Sequence, residues 1–386
     1  MSSNNDLEKF ANPNGSVSRA GKPQESISSQ DTLQKKVDLT QNTKSTPLPS
    51  IENLVFEKLI GRGTVGVVYR ALDTKLGRQV AIKVLTDAFL KDEKIRHHFT
   101  QEAEIVAKLN HPSVIQVYAS GVQDNIPYIV LEYCSGGNLS DYLKGSKLPP
   151  LVTANFILPL ALALEHAHNR GIIHRDFKPS NILLIPRRST SNYAALSTMV
   201  DHPLITSFSA KITDLGFAHD ITSSSLDVHE IIGTASYMAP EQADPKAEKD
   251  GVLIDVYSLG ATMYECLTGR PPHLGKTPYE TLTQLRNQEP IPIRAITAKV
   301  PVDLEAICMK CLARNPAERY QSVKEVIDDL NRFIRNDAVS ARPRTFWEQL
   351  KDRLKEKYSL VLISITAILT CGLTALLYYL LSKWLR

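Results

Sequence analysis

The chain has 386 residues, with 45 Lys and Arg against 41 Asp and Glu, for a formal net charge of +4. That length allows one large two-lobed domain plus appendages, and the near-even charge gives no case for a nucleic-acid partner. Five scattered cysteines, Cys134, Cys266, Cys308, Cys311 and Cys371, have no framework spacing, which fits a reducing compartment. Cys308 and Cys311 form a lone CxxC inside an apolar helical pattern and read as helix packing rather than zinc ligation. No charged-then-apolar signal peptide opens the chain.

Residues 1–50 are rich in Ser, Asn, Gln, Thr and Lys. Such a stretch buries too little surface to offset its ordering entropy and is expected to be disordered. A small lobe is expected over 51–133. Val55 to Ile60 reads as a strand, followed by glycines at 61, 63 and 66 within Gly61-Arg62-Gly63-Thr64-Val65-Gly66-Val67-Val68. Missing Cβ atoms would let backbone N–H groups approach phosphate oxygens. A second β-branched strand follows these glycines where a dinucleotide fold would begin a helix, so the loop reads as a hairpin lid. Gln79 to Val84 is the next strand and carries a single lysine, Lys83. A buried ammonium needs a carboxylate, and the helix beginning near Lys94 offers Glu102, the favoured partner, and Glu104, the alternative. Val114 to Tyr118 and Tyr128 to Leu131 complete a five-stranded sheet. Glu132-Tyr133-Cys134 reads as a connection whose backbone grips a flat base.

A larger, mostly helical lobe is expected over 134–335. An apolar helical run (Phe156, Ile157, Leu160, Leu162, Leu164) precedes His174-Arg175-Asp176-Phe177-Lys178-Pro179-Ser180-Asn181, and a strand-like Ile182 to Ile185 follows. Asp176 can accept a proton or orient a hydroxyl, Lys178 can neutralise a transferring phosphate, and Asn181 can offer its amide oxygen to a metal. Phosphoryl transfer needs that set, because its catalysis is mostly positioning and charge neutralisation. Lys211 to Gly216 ends a short strand in Asp214, the expected main Mg²⁺ ligand, since that hard ion takes carboxylate and phosphate oxygens together. Arg187 to about Ser209 is Ser/Thr/Arg-rich and is expected to be a surface excursion, the 187–209 insertion.

At the end of the chain, 336–357 is a basic segment expected to lie beside a membrane. Residues 358–382 run without a charge. About twenty apolar residues suffice to span a bilayer core, and Tyr358, Tyr378, Tyr379 and Trp384 flank the run where aromatic rings favour the interface. Residues 383–386 are a short tail. Lys351, Arg353, Lys355 and Lys357 outnumber Lys383 and Arg386, which predicts that the catalytic lobes face the cytoplasm. With no sensor domain beyond the span, activation from outside is not expected, while a homodimer or lateral clustering stays open.

The order of these motifs resembles the eukaryotic-like Ser/Thr protein kinases. The resemblance rests on the glycine loop 61–66, Val80-Ala81-Ile82-Lys83, Glu102, His174-Arg175-Asp176, Asn181, Asp214-Leu215-Gly216 and Met238-Ala239-Pro240-Glu241, then Asp255 to Gly260 and Arg319. It implies an α+β bilobal fold over 51–335 and transfer of the ATP γ-phosphate to Ser/Thr hydroxyls of protein substrates, with Mg²⁺ and with Mn²⁺ as an alternative ion. It implies that Lys83 holds the α/β-phosphates, Asp176 is the base, and Asn181 and Asp214 hold metal. Residues 61–68 with Ala81, Lys83, Glu102, Leu131, Glu132 and Cys134 would surround the nucleotide. Lys178 is similar to the lysine of Ser/Thr rather than Tyr kinases, and residues 233–237 would receive the substrate. Glu241 and Arg319 would form a buried ion pair. Leu215 and Phe177 exchange the family's usual Phe and Leu, and apolar packing is expected to survive. Tyr257 stands where Trp is usual. A phosphate on the loop between Asp214 and Glu241 would lie near the Arg175 cation. Thr222, Ser223, Ser224, Ser225 and Thr234 are the expected autophosphorylation sites.

Overall fold

A computed structural model describes residues 48–342 except Thr64, 188–200, 216–234 and Pro245. The expectations for the 1–47 stretch, most of the insertion, Gly216, the five hydroxyl residues above and the apolar run 358–382 therefore lie outside the described residues.

The small lobe is a five-stranded antiparallel sheet of β1 (Leu54–Arg62), β2 (Gly66–Asp73), β3 (Arg78–Leu85), β4 (Val117–Gln123) and β5 (Ile126–Glu132), in the order β1-β2-β3-β5-β4. Helix α1 (Glu93–Ala107) packs on it. The period of two along β3 sorts its side chains. Val80, Ile82 and Val84 join Ala71, Ile126 and Val130 in one apolar layer. Ala81, Lys83 and Leu85 face the other way, where Leu85 packs against Ile95, Phe99 and Ala103 of α1. Asp92 caps α1, accepting from the N–H groups of Lys94 (3.0 Å) and Ile95 (3.2 Å), which stabilises an otherwise orphaned first turn.

The expected strand from Val114 is displaced. Val114 and Ile115 precede β4 and join the large lobe, with Val114 bridging Ile212 and Ile115 N–H donating to Ile212 O at 2.9 Å, while Gln116 O accepts from Glu132 N–H of β5 at 2.9 Å. An apolar run declares burial but not which sheet it joins.

The large lobe carries α2 (Leu139–Leu143), α3 (Pro150–His168), β6 (Ile182–Pro186), a short α4 (Pro203–Thr206), β7 (Phe208–Ile212), α5 (Gly251–Thr268), α6 (Pro278–Asn287), α7 (Val302–Cys311) and α8 (Val323–Ile334). Among the described residues only α3 is long and apolar enough to cross a membrane, but its window is 56% buried and Ile157, Leu160, Ala161 and Leu164 lie in the lobe's core. Leu162, grouped with them from sequence, is 40% exposed. Helix α5 is buried along nearly its whole length, and Gly260 is required there because a Cβ would lie 2.5 Å from Cys311 Cβ. Cys266, Cys308 and Cys311 are buried packing residues.

Two boundaries need correction. The last part of the 187–209 insertion is not a surface excursion: Leu204 is fully buried, and Phe208 and Ser209 pair with Pro186 and Ile185 in the β6–β7 ladder. The folded body also continues past 335. Val339 is buried, Ser340 N–H donates to Asp329 Oδ1 at 2.7 Å, and Arg342 pairs with Asp303 at 3.0 Å.

Candidate active site

Lys83 is the only charged residue of β3 between Arg78 and the strand's end, and its Nζ lies 3.1 Å from Glu102 Oε1 and 2.8 Å from Asp214 Oδ1. Glu102 is chosen over Glu104 by the helix face. Positions 95, 99, 103 and 106 are buried, so Glu102 borders that stripe while Glu104 is exposed. Burial alone would lower the Lys83 pKa, but the Asp214 and Glu102 carboxylates outweigh it and raise it. Burial would raise Asp214, whose side chain keeps 45% exposure, yet Lys83 draws it below the usual carboxylate range. Glu102 moves up, because burial exceeds the help from Lys83. The ammonium is thus permanently charged, with one exposed carboxylate beside it.

The loop 174–181 is held from beneath. Asp255 is fully buried and accepts from His174 N–H (2.8 Å), Arg175 N–H (2.7 Å) and His168 Nε2 (2.7 Å). Above it, Asn181 Nδ2 donates to Asp176 O (2.9 Å) and Oδ2 (3.0 Å), and Lys178 Nζ lies 2.9 Å from Asp176 Oδ2. Spending Nδ2 on Asp176 turns the Asn181 amide oxygen to the other side. Thr213 N–H donates to Asn181 O at 3.0 Å, which delivers Asp214 beside Asn181. Arg175 and Asp214 both hold φ near +60° (62° and 56°), a region costly for residues other than glycine. No described group of three or more His, Cys, Asp or Glu could hold a metal, so an ion at Asp214 and Asn181 would need ligand phosphate oxygens to complete its shell.

Not every expected nucleotide residue turns toward this site. Cross-strand partners share a sheet face. Val68 pairs with Lys83 and Ala81 with Leu131, so Val68, Ala81 and Leu131 lie on the Lys83 face. Gly61 opposes Val68, while Gly63 N–H donates to Gly66 O at 2.9 Å, closing the hairpin. Val65 follows in that turn, and Thr64 lies outside the described residues. Val67 pairs with Val84, and Arg62 with Val67. Both side chains therefore lie on the opposite face, and only their backbones can serve a ligand. The carboxylate of Glu132 pairs instead with Lys211 Nζ at 2.9 Å. Cys134 is half-buried, and its thiol is pushed up to about 12 by burial and by Glu132. Gly66 has little spare room, since a Cβ there would lie 3.2 Å from Val84 O.

Glu241 and Arg319 form a bidentate pair at 2.6 and 2.7 Å, with Arg319 also donating to the carbonyls of Leu253, Ala313 and Arg314. Leu215 and Phe177 are both buried, with Phe177 edge-on to His174, so the exchange leaves both inside the core. Sequence reasoning missed Lys211, which also donates to Val114 O at 3.2 Å. Its signal was available: like Lys83, it is a lone lysine in an apolar strand. His168 had no such signal.

The protein kinase domain profile matches residues 54–330. The chain belongs to the protein kinase domain family. Among relatives of this kinase domain, a probable serine/threonine-protein kinase PknB of Corynebacterium glutamicum is 33% identical over 317 residues, covering 78% of this chain and 46% of the relative. PknB of Mycobacterium leprae is 36% identical over 281 residues, covering 71% of this chain and 42% of its own. The chain thus spans less than half the length of these curated relatives. The solved kinase domain of Mycobacterium tuberculosis PknI, as a double mutant, superposes with a TM-score of 0.55 at 24% identity, covering 73% of this chain and 96% of that one. That likeness speaks to the bilobal fold.

Proposed function

We propose that this kinase domain transfers the γ-phosphate of ATP to serine or threonine hydroxyls of protein substrates, with Mg²⁺ at Asp214 and Asn181. The carrying observation is the convergence of Lys83, Glu102 and Asp214 with the Asp176–Lys178–Asn181 loop, joined through Thr213 N–H to Asn181 O at 3.0 Å. Lys83 would bind the α/β-phosphates, released by them from Asp214. The ion would neutralise charge on the phosphate oxygens. Asp176 would orient the acceptor hydroxyl and take its proton, with one oxygen fixed by Asn181 and Lys178 and the other left to the substrate. Lys178 would balance charge on the transferring group. Backbone of Glu132 to Cys134 and the side chains of Val68, Ala81 and Leu131 would enclose the base.

We further infer that the uncharged run 358–382 spans a bilayer with the kinase domain on the cytoplasmic side. At 1.5 Å per residue it reaches about 37 Å as a helix, more than the hydrocarbon core needs. Autophosphorylation would fall on Thr222 to Ser225 or Thr234.

The test is labelled-ATP transfer by the full chain in detergent micelles, beside Asp176→Asn. Transfer by the wild type, lost by more than a hundredfold in the variant, supports the reading. ATP binding with no transfer by either chain would favour a scaffold instead. Resistance of the full chain to alkaline extraction from membranes, lost on removing 358–386, tests the anchor.

A further inference from the structure

The one-turn helix Pro240–Ala243 presents two side chains to different partners. Glu241 meets Arg319, whereas Gln242 turns to the catalytic loop. Its Oε1 accepts from Ala239 N–H at 2.9 Å, and its Nε2 donates to the carbonyl oxygen of Arg175 at 3.2 Å.

That carbonyl belongs to the peptide unit joining Arg175 to Asp176, and a peptide unit is planar. The same unit's N–H, on Asp176, points to His174 Nδ1 at 3.4 Å, a weak bond. The preceding unit is gripped by Asp255 through Arg175 N–H at 2.7 Å. Between these bonds Arg175 sits at φ 62°, a conformation that relaxes unless its surroundings over-determine it. Rotating the 175–176 plane changes φ of Asp176 and swings its carboxylate. The oxygen end of that plane is bonded by residue 242, in the segment 235–243 that begins within the expected substrate-receiving residues 233–237.

We propose that Gln242 is a positioning residue: its carboxamide ties the 175–176 peptide plane, and with it the Asp176 carboxylate, to the acceptor-side segment. The inference rests on the reading of Asp176 as the base. Under it, the base is aligned only while the segment 235–243 is in place, so acceptor-side order and base orientation are one event. A misplacement of about 1 Å at a reacting group costs up to about a hundredfold in rate.

Two variants of the full chain separate this role from a merely local turn cap. Gln242→Glu keeps an oxygen for Ala239 N–H but sets a carboxylate oxygen against the Arg175 carbonyl. Gln242→Met keeps the bulk and loses both bonds. Labelled transfer is read under single-turnover conditions, so that product release does not mask chemistry. The acceptor is whichever of casein, histone or myelin basic protein the wild type phosphorylates fastest.

Both variants are expected to fall about tenfold or more in rate, with KM for ATP within about twofold and thermal midpoints near the wild type. The Glu variant alone should recover relative to wild type as pH falls toward about 5, where a protonated carboxyl regains a donor. A Glu variant as fast as wild type beside a slow Met variant means a local cap only, and sinks the inference. So does wild-type speed in both, or a many-fold rise in ATP KM. If the wild type itself transfers nothing, the functional reading has failed and takes this inference with it. A transferring wild type matched by Gln242→Glu removes this inference alone.

Discussion

Arg319 is the largest fully buried side chain in the described residues, and its guanidinium is 5.0 Å from the centroid of the Tyr257 ring. Glu241→Gln leaves that cation facing three carbonyls with no counter-charge. Breaking a buried pair from one side costs about 3–5 kcal/mol, because the surviving charge is stranded in low dielectric. Arg319→Met strands the Glu241 carboxylate and also leaves the Leu253, Ala313 and Arg314 carbonyls without this donor, so its loss should be at least as large. At about 2 °C per kcal/mol for a domain of this size, Glu241→Gln should lower the thermal midpoint by about 6–10 °C. The assay is circular dichroism of the full chain in micelles at one fixed scan rate, with both single variants and the double. The double should lose much less than the sum of the singles, since each already removes the shared interaction. A Glu241→Gln midpoint within 1 °C of wild type, or strict additivity in the double, would refute the assignment of a buried, mutually dependent pair.

Three further outcomes follow from the geometry. Burial would raise the Asp329 carboxyl, but bonds from Ser340 N–H and Oγ–H, Tyr320 O–H and Ala341 N–H hold it down at about 2, against an ordinary 3.8. A depressed carboxyl contributes stability that is complete above its ordinary value and lost as pH falls through the folded one. About 2 kcal/mol should therefore disappear between about pH 4 and pH 2, and Asp329→Asn, followed by urea melts across that window, should flatten the slope; an unchanged slope rejects the bonding scheme. Glu102→Gln should cut transfer by at least tenfold and Glu104→Gln by less than twofold, measured as kcat/KM for ATP; equal losses would mean that the helix face does not choose the partner. A Cβ on Gly136 would lie 2.6 Å from Leu184 O, whereas one on Gly63 meets nothing nearer than 3.7 Å, so Gly136→Ala should cost about 1–3 kcal/mol in melts and Gly63→Ala under 1.

Much of the site was legible because catalytic chemistry forces unusual residues into ordinary elements. A lysine in an apolar strand, an Asp-X-Lys-X-X-Asn loop and an Asp after a strand each break the local pattern. What stayed hidden is relational. The sequence already favours Glu102 over Glu104, and the phase of α1 adds the reason, since Glu102 borders the buried stripe. The exclusion of the Val67 and Arg62 side chains needed the strand register, since a shift of one residue reverses every face. Leu204 was concealed by polar neighbours, although Pro203 at the first helical position and His202 capping Leu204 N–H at 3.2 Å make a local helix start. Val114 and Ile115 misled for the opposite reason, being apolar without belonging to the sheet. His168 holds the Asp255 carboxylate and Gln242 the Arg175 carbonyl, both distant in sequence, and no single-sequence pattern encodes that.

Three buried carboxylates share one task in the large lobe. Asp255 collects the amides of 174 and 175, Glu241 collects Arg319, and Asp329 collects Tyr320, Ser340 and Ala341. Each fastens an irregular segment to a helix, and irregular backbone has no ladder of its own to satisfy its N–H groups. Apolar packing could bury such loops but could not fix their peptide planes, because dispersion is non-directional. A carboxylate with several donors fixes direction and strongly resists losing any one of them. Under the proposed function the loop 174–181 needs that most, since it would have to keep Arg175 at positive φ while a substrate came and went above it. Removing the His168 donor should therefore disturb the loop before it disturbs the helix core, raising amide exchange at 174–176 while exchange within α5 stays slow.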